Sequence, residues 1–280
     1  MAEEICSQVE ALQYTGENKV INAPVMEDSK IVFHGTGNIL YAAGDKTILK
    51  GCVINFRADN SLLYLSPSKF KISIICSMFH DSVVFIGRNF YSGGNVRLLA
   101  AEQKHVFIGD SCQIAYGCWL RTNDSHLIYS IDGLKRINPP KSIYIGDHVW
   151  CGQGVTIFKG ARVGSGAVIT SNTVLAGRQV PSNRVVSGSP ARQEAGKLFY
   201  SSVTTNAFRK AKLAKYDTFA DSRWVYEHDP QDELSFDELE QAFSAKHQPE
   251  EKAEFIDLQI ASRPERRNRF FIAAGAHFQI

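Results

Sequence analysis

The chain has 280 residues, of which 44% are hydrophobic and 21% are charged, as is ordinary for a soluble globular protein. The formal net charge of +2 gives no indication of nucleic-acid binding, and we expect none. The N-terminal stretch MAEEICSQVEAL is acidic and does not look like a signal peptide, and the longest apolar run is too short to span a bilayer. We therefore expect a cytoplasmic protein without a transmembrane segment.

Apolar residues at a spacing of six first appear, weakly, after an N-terminal segment of residues 1–30. The stretches Val53–Phe56 and Ile86–Gly87 look like degraded copies of a pattern that becomes clearer downstream. In the clearer part, the apolar residues that are six positions apart are Ile108, Ile114 and Leu120.

The spacing of six stops in the segment 121–142, which reads RTNDSHLIYSIDGLKRINPPKS. Its asparagines, aspartates, glycine and Pro-Pro pair are typical of a loop. A loop that leaves a rigid repeat is where repeat proteins often carry functional side chains. This loop contains one histidine, His126.

A regular repeat then runs from Ile143 to Gly177. Every sixth residue is apolar, and most residues two positions earlier are small; the apolar row is Ile145, Cys151, Ile157, Val163, Ile169 and Leu175. A helical period of 3.6 would scatter this row, and a strand period of two would not single it out. A coil with three flat faces fits, because stacked coils bury one inward residue per face as a continuous core. The sequence therefore predicts an all-β solenoid.

The cysteines are explained by the same pattern. The six cysteines include no CxxC pair, and we expect all of them to be reduced thiols. Cys112, Cys118 and Cys151 fall on inward-facing rows, where a small apolar residue is required.

The repeat resembles that of the hexapeptide-repeat acyltransferases, clearly over residues 108–192 and more weakly back to about residue 31. The resemblance implies a left-handed parallel β-helix that acts as a homotrimer. The segment RTNDSHLIY…GLKRINPPKSIYIGDHVWCGQGV is similar to bacterial O-acetyltransferases that modify capsular or surface polysaccharides. We expect a β-helix acetyltransferase domain of residues 31–190 with its loop insertion at 121–142.

In the resembled family the histidine of this loop is the catalytic base, which implies that role for His126. The family's tryptophan corresponds to Trp150 in HVWCG, and we expect it to help shape the site. Imidazole is well suited to accept a proton from a sugar hydroxyl at neutral pH. Its second ring nitrogen needs a fixed partner, for which a backbone carbonyl, Asn123 and Asp124 are the candidates.

Two further assignments complete the predicted chemistry. A backbone N–H near Gly152 is our candidate donor to the oxyanion of the tetrahedral intermediate. His148 is the rival for the base, but its place inside the regular repeat predicts that it faces outward. With His105, His126 and His148 far apart in sequence, no pair has the spacing of metal ligands, and we expect no catalytic metal.

The resemblance implies acetyl-CoA as the donor, bound in a groove between adjacent subunits. The positions that match its binding residues are Gly152, Gln153, Ser171, Ala176, Gly177, Arg178 and Arg192. Arg192 ends the motif VVSGSPAR, and its guanidinium can pair with a nucleotide phosphate. The stretch around Arg178 is one residue longer than the family pattern, so a solvated corner residue is an equal alternative there.

For the acceptor sugar, the resemblance points to Asn95 in SGGNVRLL, one coil before the loop. An asparagine beside glycines also suits a tight turn for purely conformational reasons. Together with Asn123 and Asp124, it makes up the predicted acceptor site.

The remaining residues, 191–280, lie outside the repeat and predict a mainly helical extension. SFDELEQAF has a capping box at Ser235 and Glu238 and an apolar stripe. We expect the extension to cap the open end of the solenoid or to pack on a neighbouring subunit. The arginines of the terminal RPERRNRFF predict a solvated charged face, with contact to a lipid-linked glycan or anionic membrane as the alternative.

The sequence therefore predicts an acetyl-CoA-dependent O-acetyltransferase that acts on a sugar hydroxyl of a bacterial surface glycan. One alternative is an N-acetyltransferase of an amino sugar, often carried on a nucleotide. A second alternative is a non-catalytic β-helix that serves as a scaffold or binding protein.

Overall fold

The fold is a parallel β-solenoid with a C-terminal extension along one side. The computed structural model describes residues 2–44, 47–193, 196–263 and 265–275. Short strands stack coil upon coil into three sheets, which meet at three corners. The predicted fold class, a left-handed parallel β-helix, is confirmed.

The first sheet contains the longest strands. Its order follows the coils, and all its pairs are parallel except the first. Its strands are β1 (Glu3–Ile5), β4 (Lys30–Phe33), β7 (Val53–Phe56), β9 (Ile74–Met78), β12 (Val96–Ala100), β15 (Trp119–Arg121), β18 (Thr156–Phe158) and β21 (Val174–Ala176).

The second sheet has the same number of strands and is parallel throughout. Its strands are β2 (Lys19–Ile21), β5 (Ile39–Ala42), β8 (Leu62–Leu65), β10 (Val83–Ile86), β13 (Val106–Ile108), β16 (Ile143–Ile145), β19 (Arg162–Val163) and β22 (Gln179–Val180).

The third sheet is narrower and ends in an antiparallel strand. Its strands are β11 (Tyr91–Ser92), β14 (Gln113–Ile114), β17 (Trp150–Cys151), β20 (Val168–Ile169), β23 (Val185–Ser187) and β24 (Arg192–Gln193). A separate pair, β3 (Val25–Glu27) and β6 (Ile48–Lys50), closes the early coils.

The predicted inward rows form the core. All six residues of the row from Ile145 to Leu175 are fully buried, and the inward cysteines Cys112, Cys118 and Cys151 lie in the same cluster. All six cysteines of the chain are free thiols. The six-residue period therefore predicted the core correctly, because each coil repeats the same inward positions.

The N-terminal end of the solenoid is closed by the first residues of the chain. Strand β1 pairs antiparallel with β4, and the short helix α1 (Gln8–Gln13) follows it. Ile5 and Ala11 are buried against the first coil. This segment covers the edge of β4, the strand that the first coil contributes to the first sheet.

The C-terminal extension contains α2 (Lys210–Leu213), a 3-10 turn (Ala214–Tyr216), α3 (Phe236–Ala245), α4 (Pro249–Ile256) and a π-helical turn (Asp257–Ala261). The predicted capping box of α3 is confirmed. Ser235 Oγ accepts from the Glu238 N–H at 3.1 Å, and the Glu238 carboxylate accepts from the Ser235 N–H at 2.6 Å. Among the described residues, no helix is long and apolar enough to cross a membrane.

Most of this extension does not cap the end of the solenoid as expected, although its first strand, β24, pairs with β23 at the end of the third sheet. Helices α3 and α4 lie along the outer face of the second sheet. The reason is a stack of aromatic side chains on that face, in which Phe85 and Phe107 have ring centroids 4.5 Å apart. This stack offers a long apolar surface, and Phe236 stacks on Tyr144 and Phe270 to cover it.

The expectation of a solvated arginine run is wrong for Arg269, which is only 2% exposed, whereas Arg267 is exposed. Its guanidinium donates two hydrogen bonds of 2.9 Å to the carboxylate of Asp147 and lies 3.0 Å from an oxygen of Asp110. Burial and the neighbouring Asp147 raise the pKa of Asp110, while Arg269 opposes that rise. This ion-pair cluster fastens the extension to the corner between the second and third sheets.

Candidate active site

Two corners of the solenoid carry the predicted site residues. We call the corner between the first and second sheets the loop corner, because the segment 122–142 leaves the coil there between β15 and β16. We call the corner between the third and first sheets the tryptophan corner, because Trp150 begins β17 just before it. Since the strands of the first sheet separate them, the two corners lie about 10 Å apart in one chain.

The base of the loop is organised by Asn138, which is 7% exposed. Its side-chain amide donates to the backbone carbonyl of His126 at 2.8 Å and to Asp124 at 2.9 Å. Its side-chain oxygen accepts from the N–H of Ile128 at 2.8 Å. One buried asparagine thus fixes the backbone at the predicted base and just after it, and also holds the side chain of Asp124.

Asp124 connects the loop to the next coil. It accepts a short hydrogen bond from the ammonium of Lys159, which lies one coil further on at the same corner. Partial burial acts to raise the pKa of Asp124, but the hydrogen bonds from Lys159 and Asn138 outweigh it and lower the pKa below its usual value. Asp124 is therefore ionised and links the loop to Lys159 of the next coil.

The imidazole of His126 is exposed and, within the described ranges of the chain, has no hydrogen-bond or ion-pair partner. Asp124 is bonded to Lys159 and Asn138, and Asn123 to Glu102 at 3.2 Å. Neither of the side chains expected to hold the imidazole does so within a single chain. The ring is left free to meet a substrate or a neighbouring subunit.

Asn123 faces a cleft of about 690 Å³ beside the loop. The backbone oxygen of Asn123 accepts from Arg121 at 2.7 Å, whereas its buried side-chain oxygen has no hydrogen-bond partner among the residues described. The cleft is lined by a mixture of apolar and polar side chains: Phe79, His80, Glu102, Asn123, Ser125 and Arg136. Its size and lining suit a sugar unit.

Trp150 lies at the tryptophan corner and is 41% exposed. Its ring centroid is 5.7 Å from that of Tyr200, in the C-terminal extension. No hydrogen bond or ring contact links Trp150 to His126 within the part of the chain that the structure describes. The two residues that the resemblance assigns to catalysis therefore lie at different corners of one chain.

The N–H of Gly152 is not an available oxyanion donor, because it donates to the carbonyl of Ile169 at 2.8 Å. The hexapeptide ladder already uses that group, so the predicted donor near Gly152 would have to be another N–H of the same turn. A side chain at Gly152 would lie 2.6 Å from the backbone nitrogen of Ser171, so only glycine permits this close stacking of coils.

The predicted coenzyme A residues divide between the two corners. Gln153 and Ser171 are exposed at the tryptophan corner on successive coils, and the Gln153 carbonyl accepts from the Asn172 N–H at 2.8 Å. Ala176 and Gly177 are exposed at the loop corner. The Gly177 N–H donates to the carbonyl of Lys159 at 3.1 Å.

Three predicted residues lie at the edges of this arrangement. Arg178 donates to the carbonyl of Ala191 at 2.7 Å, so its guanidinium is partly occupied by the last coil. Arg192 is exposed on β24. Asn95 has a positive φ of 50°, which supports the conformational explanation of its position, and its side chain accepts from Arg97 at 3.5 Å.

His148, the rival for the base, does point away from the core row, but it is not exposed. It is 1% accessible and lies between the rings of Tyr200 and Trp224, with centroids 4.1 Å and 3.6 Å away. Burial lowers its pKa to about 4. A buried imidazole that is covered on both faces cannot meet an acceptor hydroxyl. Its burial was not predictable from the repeat pattern, because the extension that covers it lies outside the repeat.

Comparison with known proteins gives the following relatives. No protein-family model matches the chain. The polysialic acid O-acetyltransferase of Neisseria meningitidis is 31% identical over 148 residues, which are 52% of this chain and 68% of the relative. The protein of the same name from Escherichia coli O1:K1 / APEC is 43% identical over 125 residues, 45% of this chain and 39% of the relative.

Solved structures give the same fold. The polysialic acid-specific acetyltransferase NeuO has a TM-score of 0.56 at 26% identity, with 71% of this chain and 97% of that chain covered. The polysialic acid O-acetyltransferase OatWY has a TM-score of 0.51 at 24% identity, with 74% and 100% covered. More than a quarter of this chain thus has no counterpart in NeuO.

Proposed function

The chain belongs to the family of polysialic acid O-acetyltransferases and is an acyltransferase, and from this premise we propose that it transfers an acetyl group from acetyl-CoA to a hydroxyl of a bacterial capsular polysaccharide. Polysialic acid, the acceptor in the names of the relatives, is the first polymer to test. We propose the bacterial cytoplasm as the site of the reaction.

The observation that carries this proposal is the state of His126. Its imidazole is exposed and unpartnered within the described chain, while Asn138 holds its backbone carbonyl at 2.8 Å. A general base needs a fixed backbone and one free ring nitrogen, and we propose that the partner of the second ring nitrogen comes from the neighbouring subunit. A histidine that served only packing would be buried, as His148 and His105 are.

In the proposed reaction His126 takes the proton of the acceptor hydroxyl as its oxygen attacks the thioester carbonyl of acetyl-CoA. The tetrahedral intermediate then expels coenzyme A, whose thiolate receives the proton from the imidazolium. General-base catalysis contributes about 10²–10⁴-fold, so positioning of the two substrates must supply much of the remaining acceleration.

We propose that the site is completed between subunits of a homotrimer. His126 and Trp150 belong to different corners, so the loop corner of one subunit must meet the tryptophan corner of the next for both to contact one substrate. The loop also exposes apolar side chains that a subunit contact would cover: Leu127, Ile128, Tyr129, Ile131, Leu134 and Ile137. Ile131 is 94% exposed in the single chain.

Coenzyme A is proposed to lie in this groove along the exposed corner residues of successive coils. Gln153 and Ser171 come from the tryptophan corner, and Ala176, Gly177 and Arg178 from the loop corner. Arg192, exposed on the last strand, is proposed to pair with a phosphate of the nucleotide. The acceptor sugar is proposed to enter through the cleft that Asn123 lines.

The test is to incubate the purified protein with acetyl-CoA carrying a labelled acetyl group and with polysialic acid. We expect label in the polymer and its release by mild base, because acetyl esters are labile and amides are not. Label that resists mild base would support the N-acetyltransferase alternative. Acetyl-CoA at about 100 times its dissociation constant should stabilise the folded protein by about 2.7 kcal/mol, which is measured as a higher melting temperature. No rise in the melting temperature would favour the alternative of a non-catalytic scaffold protein.

A further inference from the structure

The C-terminal extension contains an exposed segment, residues 201–222, that we call the basic arm. It lies between two parts of the extension that pack on the solenoid. Its helix α2 and the following 3-10 turn bury no residue, and almost every side chain of the arm is exposed. Leu213 and Tyr216 are each about half exposed, at 51% and 50%.

Both ends of the arm are fixed beside the candidate active site. Tyr200 enters it and Trp224 leaves it, and their rings stack on opposite faces of His148 at 4.1 Å and 3.6 Å. The ring of Tyr200 is also 5.7 Å from that of Trp150. The arm is therefore a loop whose two ends are anchored on His148, at the corner between the second and third sheets, next to the strand that carries Trp150.

The middle of the arm, FRKAKLAKY from Phe208 to Tyr216, combines cations with aromatic rings and contains no carboxylate. Lys212 lies 4.6 Å from the centre of the Phe208 ring, which is 5.0 Å from the ring of Tyr216. None of its four cations forms an ion pair with a described residue; they are Arg209, Lys210, Lys212 and Lys215. With Asp217 and Asp221 included, the arm carries a net charge of +2, which equals the net charge of the whole chain.

We propose that the basic arm is a second binding site for the acceptor, which holds an anionic polysaccharide away from the reacting sugar. This inference rests on the proposed function, which supplies a polymer with many carboxylates. Lysine and arginine pair with carboxylates, and the aromatic rings offer flat apolar surface to sugar rings. Because one end of the arm, Tyr200, lies beside Trp150, a chain bound to the arm is kept close to the site between acetyl transfers.

The arm is better suited to a polymer than to a membrane surface. An interfacial helix needs a continuous apolar face several turns long, whereas α2 has four residues. Its cations and aromatic rings are interspersed, as contact with a chain of alternating charged and apolar surfaces requires. An anionic membrane is therefore treated as a separate outcome of the test.

The test uses the full-length protein with Arg209, Lys210, Lys212 and Lys215 all changed to Gln. The four cations are exposed and are not part of the ring contact between Phe219 and Phe199 that holds the arm, so this variant should fold normally, which its melting temperature will check. The matched control removes four exposed cations from the early coils: Lys19→Gln, Lys50→Gln, Lys69→Gln and Lys71→Gln. Each exposed ion pair is weak, but four together should raise KM for long polysialic acid about tenfold in the arm variant.

For a sialic acid trimer, which cannot span from the site to the arm, we expect kcat and KM of the arm variant to be unchanged. The effect on the long polymer should shrink as salt is added, because salt screens exposed charges. Equal KM values for long polymer in the arm variant, control variant and wild type would overturn the proposal.

Binding to immobilised polysialic acid separates this proposal from the proposed function. If the wild type binds the polymer through the arm but acetylates nothing, the arm proposal stands and the proposed function fails. If the wild type acetylates the polymer but the wild type and the arm variant bind it with equal affinity, the arm proposal fails and the proposed function stands. Arm-dependent binding to vesicles of phosphatidylcholine and phosphatidylglycerol, without arm-dependent binding to the polymer, would overturn it in favour of a membrane contact.

Discussion

The side-chain amide of Asn138 donates a hydrogen bond of 2.8 Å to the backbone carbonyl of His126, across a span of loop that contains no helix or strand. Asn138→Ala removes this bond together with the bonds to Asp124 and Ile128. We expect kcat/KM to fall about 10–100-fold, because the predicted base loses its fixed position. Since the loop lies outside the core, the melting temperature should change by only a few degrees.

The control for this prediction is Ser130→Ala in the same loop. The hydroxyl of Ser130 donates to the nearby carbonyl of Asp132, and among the described residues no hydrogen bond joins this side chain to His126. Steady-state kinetics of the two variants side by side separate a general disturbance of the loop from loss of the His126 anchor. Equal activities in the two variants would contradict the role of Asn138.

The pH dependence of stability should report His148. Its burial lowers its pKa to about 4, whereas in the unfolded chain the pKa is about 6.5. Between these values the unfolded state binds a proton that the folded state does not, so stability falls as pH falls below about 6.5. The loss from His148 alone should reach about 2 kcal/mol by about pH 5.

His148→Phe should remove that share of the pH dependence while keeping an aromatic ring between Tyr200 and Trp224. The measurement is urea unfolding near pH 7.5 and near pH 5. His105 also has a lowered pKa, near 3, and will leave a residual dependence in the same direction. A variant with the same drop in stability as the wild type would contradict the assignment.

Arg269 should be essential for the docking of the C-terminal extension. Arg269→Met leaves the carboxylates of Asp110 and Asp147 without their cation, and we expect a loss of about 3–5 kcal/mol near pH 7. The loss should be smaller near pH 5, because burial already raises the pKa of Asp110 and removal of Arg269 raises it further. Chemical unfolding at the two pH values measures both effects.

A triple variant provides the control for that prediction. Asp110→Asn, Asp147→Asn and Arg269→Met together replace the buried charges by neutral groups of similar size. Such replacements are often neutral or stabilising, so the triple variant should recover most of the lost stability. A triple variant as unstable as Arg269→Met would show that packing of Arg269, rather than its charge, anchors the extension.

The coils were predictable from the sequence because each repeats the same few contacts. Ile145 and Leu175 are buried for the same local reason, and the period of six makes that reason visible. The position of His126 in a loop was likewise visible as a break in the period. These features depend on residues close together in the sequence.

The supports of the site were not predictable in this way. Lys159 reaches Asp124 only because coils stack, and no pattern marks it among the other lysines. The cover over His148 comes from Tyr200 and Trp224, which lie outside every repeat. The aromatic stack that attracts α3 and α4 became visible only when the outer residues of successive coils were aligned in space.

Subunit sharing of the site can be tested by complementation. His126→Gln and Trp150→Ala should each form inactive trimers if both residues are needed. Mixed trimers, made by expressing the two variants together, contain some interfaces with both native residues, and random mixing should restore about a quarter of the wild-type activity. If the mixed trimers are no more active than the two parent variants, no active site is formed from His126 of one subunit and Trp150 of the next.

The most direct test of the central claim is the kcat of His126→Gln with acetyl-CoA and polysialic acid. We predict a loss of about 10²–10⁴-fold, with coenzyme A binding and the melting temperature unchanged, because the exposed ring contributes to proton transfer and not to packing. A folded variant that binds coenzyme A and retains kcat within about tenfold of the wild type would contradict the assignment of His126 as the base.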